Sequence, residues 1–184
     1  MTTNYSTQND LLLNNLLDFY KEGNNMDKML NIINGKSQIS LRIIDWFATN
    51  FAKKNYTVYQ LQGTEKRFKV YNDYKLKLKA YSKRRFDPFC RWERINVPYK
   101  EDSFIQTTIG QLNFFKWALE NNVIDYIEQN FKHIEQDMNC RNSTSKNKKT
   151  DANLKKTRKK REELSVSASK SIKKEKVEIV LKFD

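Results

Sequence analysis

The residues of this chain best suited to chemistry are the cations and aromatic rings of residues 66–94, which read KRFKVYNDYKLKLKAYSKRRFDPFCRWER. This segment holds eleven Lys and Arg residues against three Asp and Glu residues. Lys and Arg side chains neutralise phosphates, and exposed aromatic rings can stack on unpaired bases. The combination predicts a surface that binds a polyanion, most often a nucleic acid.

The remaining charge is unevenly distributed. The rest of residues 1–140 holds nine Lys and Arg residues and thirteen Asp and Glu residues, whereas residues 141–184 hold fifteen and six. Within this tail, LKKTRKKREE at 154–163 is typical of a nuclear-localisation signal or a non-specific nucleic-acid arm. The alternative is that the tail only keeps the protein in solution.

The candidate phosphate contacts are the cations of these two basic clusters. The strongest candidates are the consecutive Lys83, Arg84 and Arg85, which we expect in a loop. In the alternative interpretation, the aromatic rings of 66–94 belong to the core and its lysines form only a solvated face. The full set of candidate nucleic-acid-binding residues is Lys75, Lys77, Lys79, Lys83, Arg84, Arg85, Arg91, Arg94, Lys155, Lys156, Arg158, Lys159, Lys160 and Arg161.

Residues with the spacing of a catalytic or metal site are scarce. A structural zinc ion needs four ligands, usually in close pairs, and the chain offers only His133, Cys90 and Cys140. Its four glycines do not form a phosphate-binding loop of either common type. Asp87 and Glu93 could converge as the acids of a nuclease, but ion pairing with neighbouring arginines is the stronger interpretation. We therefore expect no enzymatic activity, no cofactor and no metal ion.

Hydrophobic periodicity predicts an α+β fold with N-terminal helices, a central antiparallel β meander and C-terminal helices. The expected helices are 9–22, 25–34, 38–54, 111–121 and 123–138, with Asn9 or Asp10 capping the first and Ser37 the third. The expected strand segments are 56–61, 66–71, 74–81, 89–98 and 103–109.

The assignment of residues 74–81, YKLKLKAY, decides what carries the basic cluster. Strict alternation of lysines with other residues predicts an amphipathic strand, so the candidate site would be a basic aromatic β ribbon. The main alternative is a helix over 70–81, which would place on one face Val70, Tyr71, Tyr74, Leu78 and Tyr81.

The pattern changes at residue 141. High charge and almost no aromatic residues predict disorder through residue 176. We therefore divide the chain into a compact α+β domain at 1–140 and a disordered basic tail at 141–184. Residues 177–183, VEIVLKF, alternate apolar and charged side chains and could add a strand to a sheet edge of this chain or of a partner. The alternative for them is a frayed terminus. No run of about 18 apolar residues occurs, so we expect no membrane association.

Three stretches resemble a known group of proteins. They are SLRIIDWFATNFAKKN at 40–55, LKAYSKRRFDPFCRWERI at 78–95 and TTIGQLNFFKWALENNVIDYI at 107–127. Over roughly residues 25–139 the chain is similar to small proteins of nucleocytoplasmic large DNA viruses of the mimivirus and phycodnavirus type. The resemblance implies a viral protein that acts inside the infected cell, in the cytoplasmic virus factory or the nucleus, or that is packaged in the virion. It carries over no catalytic residue.

Charge and resemblance together favour one function over two others. We expect a non-enzymatic, largely sequence-independent DNA- or RNA-binding protein whose tail also contacts viral protein partners. The alternative is a virion structural or protein-interaction component whose basic surfaces bind acidic protein partners. A small nucleic-acid enzyme that uses Asp87 or Glu93 is the third candidate.

Overall fold

The N-terminal part of the chain is helical. The computed structural model describes residues 7–61, 63, 65–90, 93–99, 103–147 and 173–176, without the side chains of 142–147 and 173–176. The first elements are α1 (Gln8–Lys21), α2 (Asn25–Ile33), α3 (Leu41–Trp46), a π-helical segment (Phe47–Phe51) and α4 (Ala52–Lys54). The single helix expected at 38–54 therefore contains a π turn, in which the N–H of Ala52 reaches the carbonyl of Phe47.

The helix caps differ from those expected by a few residues. Thr7 caps α1, and Asp10 is the third residue of that helix, where its carboxylate accepts from the Thr7 backbone N–H at 2.8 Å. This reciprocal capping box satisfies two backbone donors that the helix leaves open. Ser40 rather than Ser37 caps α3, because its hydroxyl accepts from the N–H of Ile43 at 3.3 Å.

The strands form two small antiparallel sheets instead of one meander. In the first sheet, β1 (Val58–Gln60) pairs with β2 (Arg67–Lys69). In the second sheet the order is β3 (Arg94–Tyr99), β4 (Ser103–Thr108) and β5 (Lys173–Lys176). The first two of these align the buried Val97 with Ile105 and the exposed Pro98 with Phe104. The α+β class is confirmed.

The strand expected at 74–81 and the loop expected at Lys83, Arg84 and Arg85 are wrong. Both fall largely in α5 (Val70–Phe86), which separates the two sheets. Five residues at helical spacing face the core, as in the alternative interpretation: Val70 and Tyr74 are buried, while Tyr71, Leu78 and Tyr81 are half-buried. The segment forms a helix and not a strand because, at helical spacing, these five side chains all find packing partners in the core.

The core is centred on α6 (Ile109–Glu120), followed by α7 (Val123–Gln129) and α8 (Phe131–Asn147). Nine of the residues of α6 are buried, including Phe114, Phe115 and Trp117. Trp117 lies 5.8 Å from the ring of Tyr74 and 5.9 Å from the ring of Phe86, both in α5. The last helix expected, 123–138, is two helices that meet at Asn130.

The segment expected to be disordered contains two ordered stretches. Residues 141–147 continue α8, and residues 173–176 form β5, in which Lys174 is paired with Ile105 of β4. The strand expected at 177–183 lies outside the described residues, as do residues 148–172.

Gly110, in the first turn of α6, allows that helix to approach the end of α5 closely. A Cβ atom at this position would lie 2.9 Å from the carbonyl oxygen of Asp87 and 3.0 Å from that of Arg84. Nearby, the amide of Asn113 donates to the carbonyl of Arg85 at 2.9 Å. Since the blocking atoms are backbone atoms, a side chain here must push the two helices apart.

We predict that Gly110→Ala lowers the free energy of unfolding by about 1–3 kcal/mol, because overpacking outweighs the better helix propensity of alanine. Urea denaturation monitored by circular dichroism measures this. Gln136→Ala, at an exposed position of α8, is the control and should change stability by less than about 0.5 kcal/mol. Equal stability of the Gly110 variant and the parent would contradict the close approach.

Buried tyrosines make the fold sensitive to alkaline pH. Burial raises the pKa of Tyr59 and of Tyr74, with smaller contributions from nearby ionisable groups. The unfolded chain deprotonates these residues near pH 10. Their stabilising contribution is therefore complete below pH 10 and is lost as the pH rises above it.

We predict that the free energy of unfolding falls from pH 9.5 to pH 11.5, and that Tyr59→Phe makes this fall shallower. Urea midpoints at each pH provide the measurement. Comparison with the parent cancels the titration of the lysines, which is common to both proteins. Parallel curves would show that Tyr59 ionises as easily in the folded as in the unfolded protein.

Candidate nucleic-acid interface

The exposed face of α5 carries the central part of the basic cluster. Lys75 and Lys79 are exposed and lie four residues apart, so they project from neighbouring turns of the same face. Lys77 lies at the margin of this face and is half-buried. The opposite face holds Tyr74 against the core. The lysines thus lie on a helix that packs against the core, not on the predicted β ribbon.

A backbone break at Ser82 separates these lysines from the last turn of α5. Ser82 has φ 64° and ψ 168° inside the helix, a region that residues other than glycine rarely occupy. Beyond it, Lys83 and Arg84 are exposed, whereas Arg85 is half-buried and its carbonyl accepts from Asn113. The strongest sequence candidates therefore lie on a helical turn that is tied to α6.

The other predicted contacts are dispersed or lie outside the described residues. Arg94 is exposed on β3 and donates to the side-chain oxygen of Gln106 on β4 at 3.0 Å. Arg91 lies outside the described residues, as do the tail candidates Lys155, Lys156, Arg158, Lys159, Lys160 and Arg161. The candidates that are exposed on α5 are Lys75 and Lys79 before the break at Ser82 and Lys83 and Arg84 after it. We call these four residues the α5 basic face.

The aromatic rings of the segment belong mainly to the core. Tyr74 and Phe86 are buried in the cluster around Trp117. Tyr81 is half-buried and stacks on Phe86 with a centroid separation of 6.1 Å. These rings are not available to stack on bases, and their effect on the site is to hold α5 in place.

A second basic surface, which the sequence interpretation missed, lies beside the N-terminal end of α5. It is a groove with a volume of about 710 Å³ between the π-helical segment, α4, α5 and α8. We call it the basic groove, and its principal residues are Asn50, Lys53, Lys54, Tyr56, Tyr71 and Arg141. The sequence signal was the pair Lys53-Lys54 followed by Tyr56, but Arg141 is distant along the chain and joins them only through folding.

Hydrogen bonds and cation–π contacts organise the groove. Lys54 donates to Asp137 at 2.6 Å, and the indole N–H of Trp46 donates to the same carboxylate at 3.1 Å. The bond from Lys54 holds the pKa of Asp137 below its usual range; partial burial opposes this and the bond from Trp46 supports it. The Arg141 guanidinium lies 5.7 Å from the ring centroid of Trp46, and the Lys53 ammonium lies 5.6 Å from that of Tyr71.

Of the acidic residues of 66–94, Asp73 and Asp87 have structural partners, whereas Glu93, the other acid considered for catalysis, is exposed. Asp73 accepts from the indole N–H of Trp117 at 2.7 Å. Asp87 accepts from the backbone N–H of Phe89 at 2.9 Å. Glu93 is exposed, and His133 is exposed on α8, with its ring edge-on to Phe51. Across the described ranges, no three His, Cys, Asp or Glu side chains group as metal ligands. No helix in those ranges is both long enough and apolar enough to cross a bilayer.

Comparison with known proteins places the chain in a viral family. A family model described as a family of unknown function (DUF7197) matches residues 3–180, and the chain belongs to this family. The uncharacterized protein L507 of Acanthamoeba polyphaga mimivirus is 46% identical over 132 residues, and the match covers 68% of this chain and 50% of that protein. The chain thus spans about half the length of this relative. The expected kinship with proteins of large DNA viruses is confirmed. No solved structure matches.

We predict that Ser82→Gly raises the free energy of unfolding by about 1 kcal/mol, because glycine adopts this backbone conformation without the strain of a side chain. Ser82→Ala keeps a Cβ atom and is the matched control, with an expected change below about 0.5 kcal/mol. Urea denaturation of the three proteins tests this. A glycine variant no more stable than the alanine variant would show that position 82 is not strained.

Proposed function

We propose that this viral protein binds nucleic acid through the α5 basic face, without enzymatic activity and largely without sequence preference. The observation that carries the proposal is the exposure of Lys75, Lys79 and Lys83 on α5, two before the break at Ser82 and one directly after it. None of the three takes part in an ion pair within the described part of the chain. Phosphates are the groups that such uncompensated cations neutralise most readily.

The way α5 is held favours phosphate binding over base reading. The helix is anchored by buried Tyr74 and Phe86, and its exposed face offers mainly ammonium groups. Base recognition relies on bidentate donors and acceptors such as arginine, asparagine and glutamine. Lysines are point charges that contact a phosphate backbone whatever its sequence.

We further propose that the basic tail, residues 141–176, acts as an auxiliary arm attached to the compact part at 1–140. Helix α8 continues past residue 140 to Asn147, and β5 joins β4. The cluster at 154–161 is therefore joined at both ends to chain segments that belong to the fold. Tethering holds a weak second site at high local concentration, which raises the overall affinity.

The viral family suggests where this activity would be used. A DNA-virus protein of this kind would act in the cytoplasmic virus factory, in the nucleus or inside the particle. Genome condensation, replication and transcription would all use a phosphate-binding helix without base preference.

One feature favours a second candidate function. Leu76 is 66% exposed between Lys75 and Lys79. An apolar side chain inside a basic face is suited to a protein partner that offers a hydrophobic contact surrounded by acidic residues. In that case the protein would be a virion or scaffold component that binds acidic viral proteins.

Charge reversal on the α5 basic face tests the leading proposal. We predict that the full chain binds labelled DNA with a steep salt dependence, and that Lys75→Glu, Lys79→Glu and Lys83→Glu together reduce the slope of log affinity against log salt by about 2–3. Fluorescence anisotropy over a salt series at neutral pH gives both slopes.

The matched control reverses three exposed lysines elsewhere: Lys28→Glu, Lys36→Glu and Lys132→Glu. This control changes the net charge by the same amount. Because its three lysines lie outside α5, it should leave most of the slope of log affinity against log salt intact. If both triple variants lose the same slope, binding follows net charge and not the α5 basic face. If the parent does not bind DNA or RNA at about 150 mM salt, where the screening length is about 8 Å, the proposal fails and an acidic protein partner is favoured.

A further inference from the structure

Tyr56 is an exposed aromatic residue in an unfavourable backbone conformation. The residue is 86% exposed, more than any other large hydrophobic residue in the described ranges. Its φ is 48°, in the left-handed region. It follows the end of α4, where the N–H of Thr57 donates to the carbonyl of Ala52 at 3.1 Å. Helices commonly end in this way, but with glycine or asparagine at the left-handed position.

Neither packing nor local backbone chemistry accounts for a tyrosine here. Within the described residues, Tyr56 makes no ring contact and its hydroxyl makes no hydrogen bond, although other tyrosines, such as Tyr59, do both. A lone exposed aromatic residue is ordinary. An exposed aromatic residue in a strained backbone conformation is unusual, and strain of this kind clusters at functional sites.

The surroundings of Tyr56 provide cations and amides. The ring borders the basic groove, where the ammonium of Lys53 lies over the ring of Tyr71. Also in the groove, the guanidinium of Arg141 donates to the side-chain oxygen of Asn50 at 3.4 Å. One carboxylate, that of Asp137, lines the groove, and Lys54 already neutralises it. The groove is therefore cationic, with an exposed aromatic ring at its border.

The π-helical segment shapes one wall of the groove. A π turn accommodates an extra residue, is rare, and is frequent at functional sites. Here the turn spans Phe47–Phe51 and places the side chains of Thr49 and Asn50 along the groove. Thr49 donates to the carbonyl of Asp45, and Asn50 donates to the hydroxyl of Thr49 at 2.8 Å. The polar wall is thus fixed in orientation.

The groove is continuous with the α5 basic face. Tyr71 belongs to both the groove and the first turn of α5. Lys75 follows it after four residues and Lys79 after eight, so the three lie on successive turns separated by about 6 Å of helix rise. A chain of phosphates that follows the lysines therefore leads to the groove.

We propose that the basic groove binds an unpaired nucleotide of a single strand, with the base stacked on Tyr56 and the adjacent phosphate at Lys53. This assignment rests on the proposed function and specifies its substrate as single-stranded DNA or RNA. A base inside a duplex is stacked on both faces and cannot cover an external ring. Stacking on an aromatic platform tolerates every base, which agrees with binding that lacks sequence preference.

The test measures affinities of the full chain for a single-stranded 20-mer of DNA, the same sequence in RNA, and the DNA duplex. We expect tighter binding of the single strands. Tyr56→Asn, which removes the ring but suits the left-handed backbone, should weaken single-strand binding about 5- to 150-fold. It should leave duplex binding unchanged, and the thermal unfolding midpoint unchanged or higher. Tyr56→Trp keeps a ring and should bind single strands within about twofold of the parent.

A single strand that contains 2-aminopurine gives a direct readout. Stacking on Tyr56 should quench its fluorescence in the parent complex, and Tyr56→Asn should restore it. Equal loss of single-strand and duplex binding in that variant would overturn the stacking assignment. Unchanged single-strand binding, with loss on charge reversal of the α5 basic face, would overturn the groove assignment while the proposed function stands. Absence of binding to all three probes would overturn both.

Discussion

The contact between α5 and α6 is the constraint on which the rest of this structure depends. Gly110 lets the backbones meet at the end of α5, and the bond from Trp117 to Asp73 fixes its beginning. Between these two points, Tyr74 and Phe86 fill the aromatic cluster. Because one side of α5 is fully used by this contact, its lysines have only the solvent side available. The positive charge of the surface is thus a consequence of how the core is packed.

Part of this arrangement could be predicted from the sequence. The N-terminal helices, the hairpin at β3 and β4 and the class of the fold follow from local periodicity and turn residues. The secondary structure of residues 74–81 could not be predicted in this way, because the alternating lysines and leucines suit a strand while the spacing of Tyr74, Leu78 and Tyr81 suits a helix. The choice depends on burial against Trp117, more than 30 residues away. Local patterns cannot decide between two periods when the deciding partner is distant in the chain.

The candidate site, too, was predicted from the sequence only in part. The excess of cations in 66–94 was visible from composition, and Lys75, Lys79 and Lys83 are exposed in the fold. The basic groove was not visible, because it combines residues of α4, α5 and α8. Two unusual backbone features of the groove are the π turn at Phe47–Phe51 and the left-handed conformation of Tyr56. Neither contains a glycine or proline that would indicate it in the sequence. Backbone strain that the tertiary structure imposes cannot be predicted from the conformational preferences of the residues involved.

The order of strands in the second sheet limits how another chain could extend it. The β3 side contains Pro98, which has no N–H to offer an incoming strand. On the other side, the edge of β4 is already covered by residues 173–176 of the same chain. A partner that adds a strand on the β4 side must therefore displace β5 or pair with its outer edge. Displacement would release one end of the basic tail, so recognition of a partner through the sheet would extend the reach of the arm.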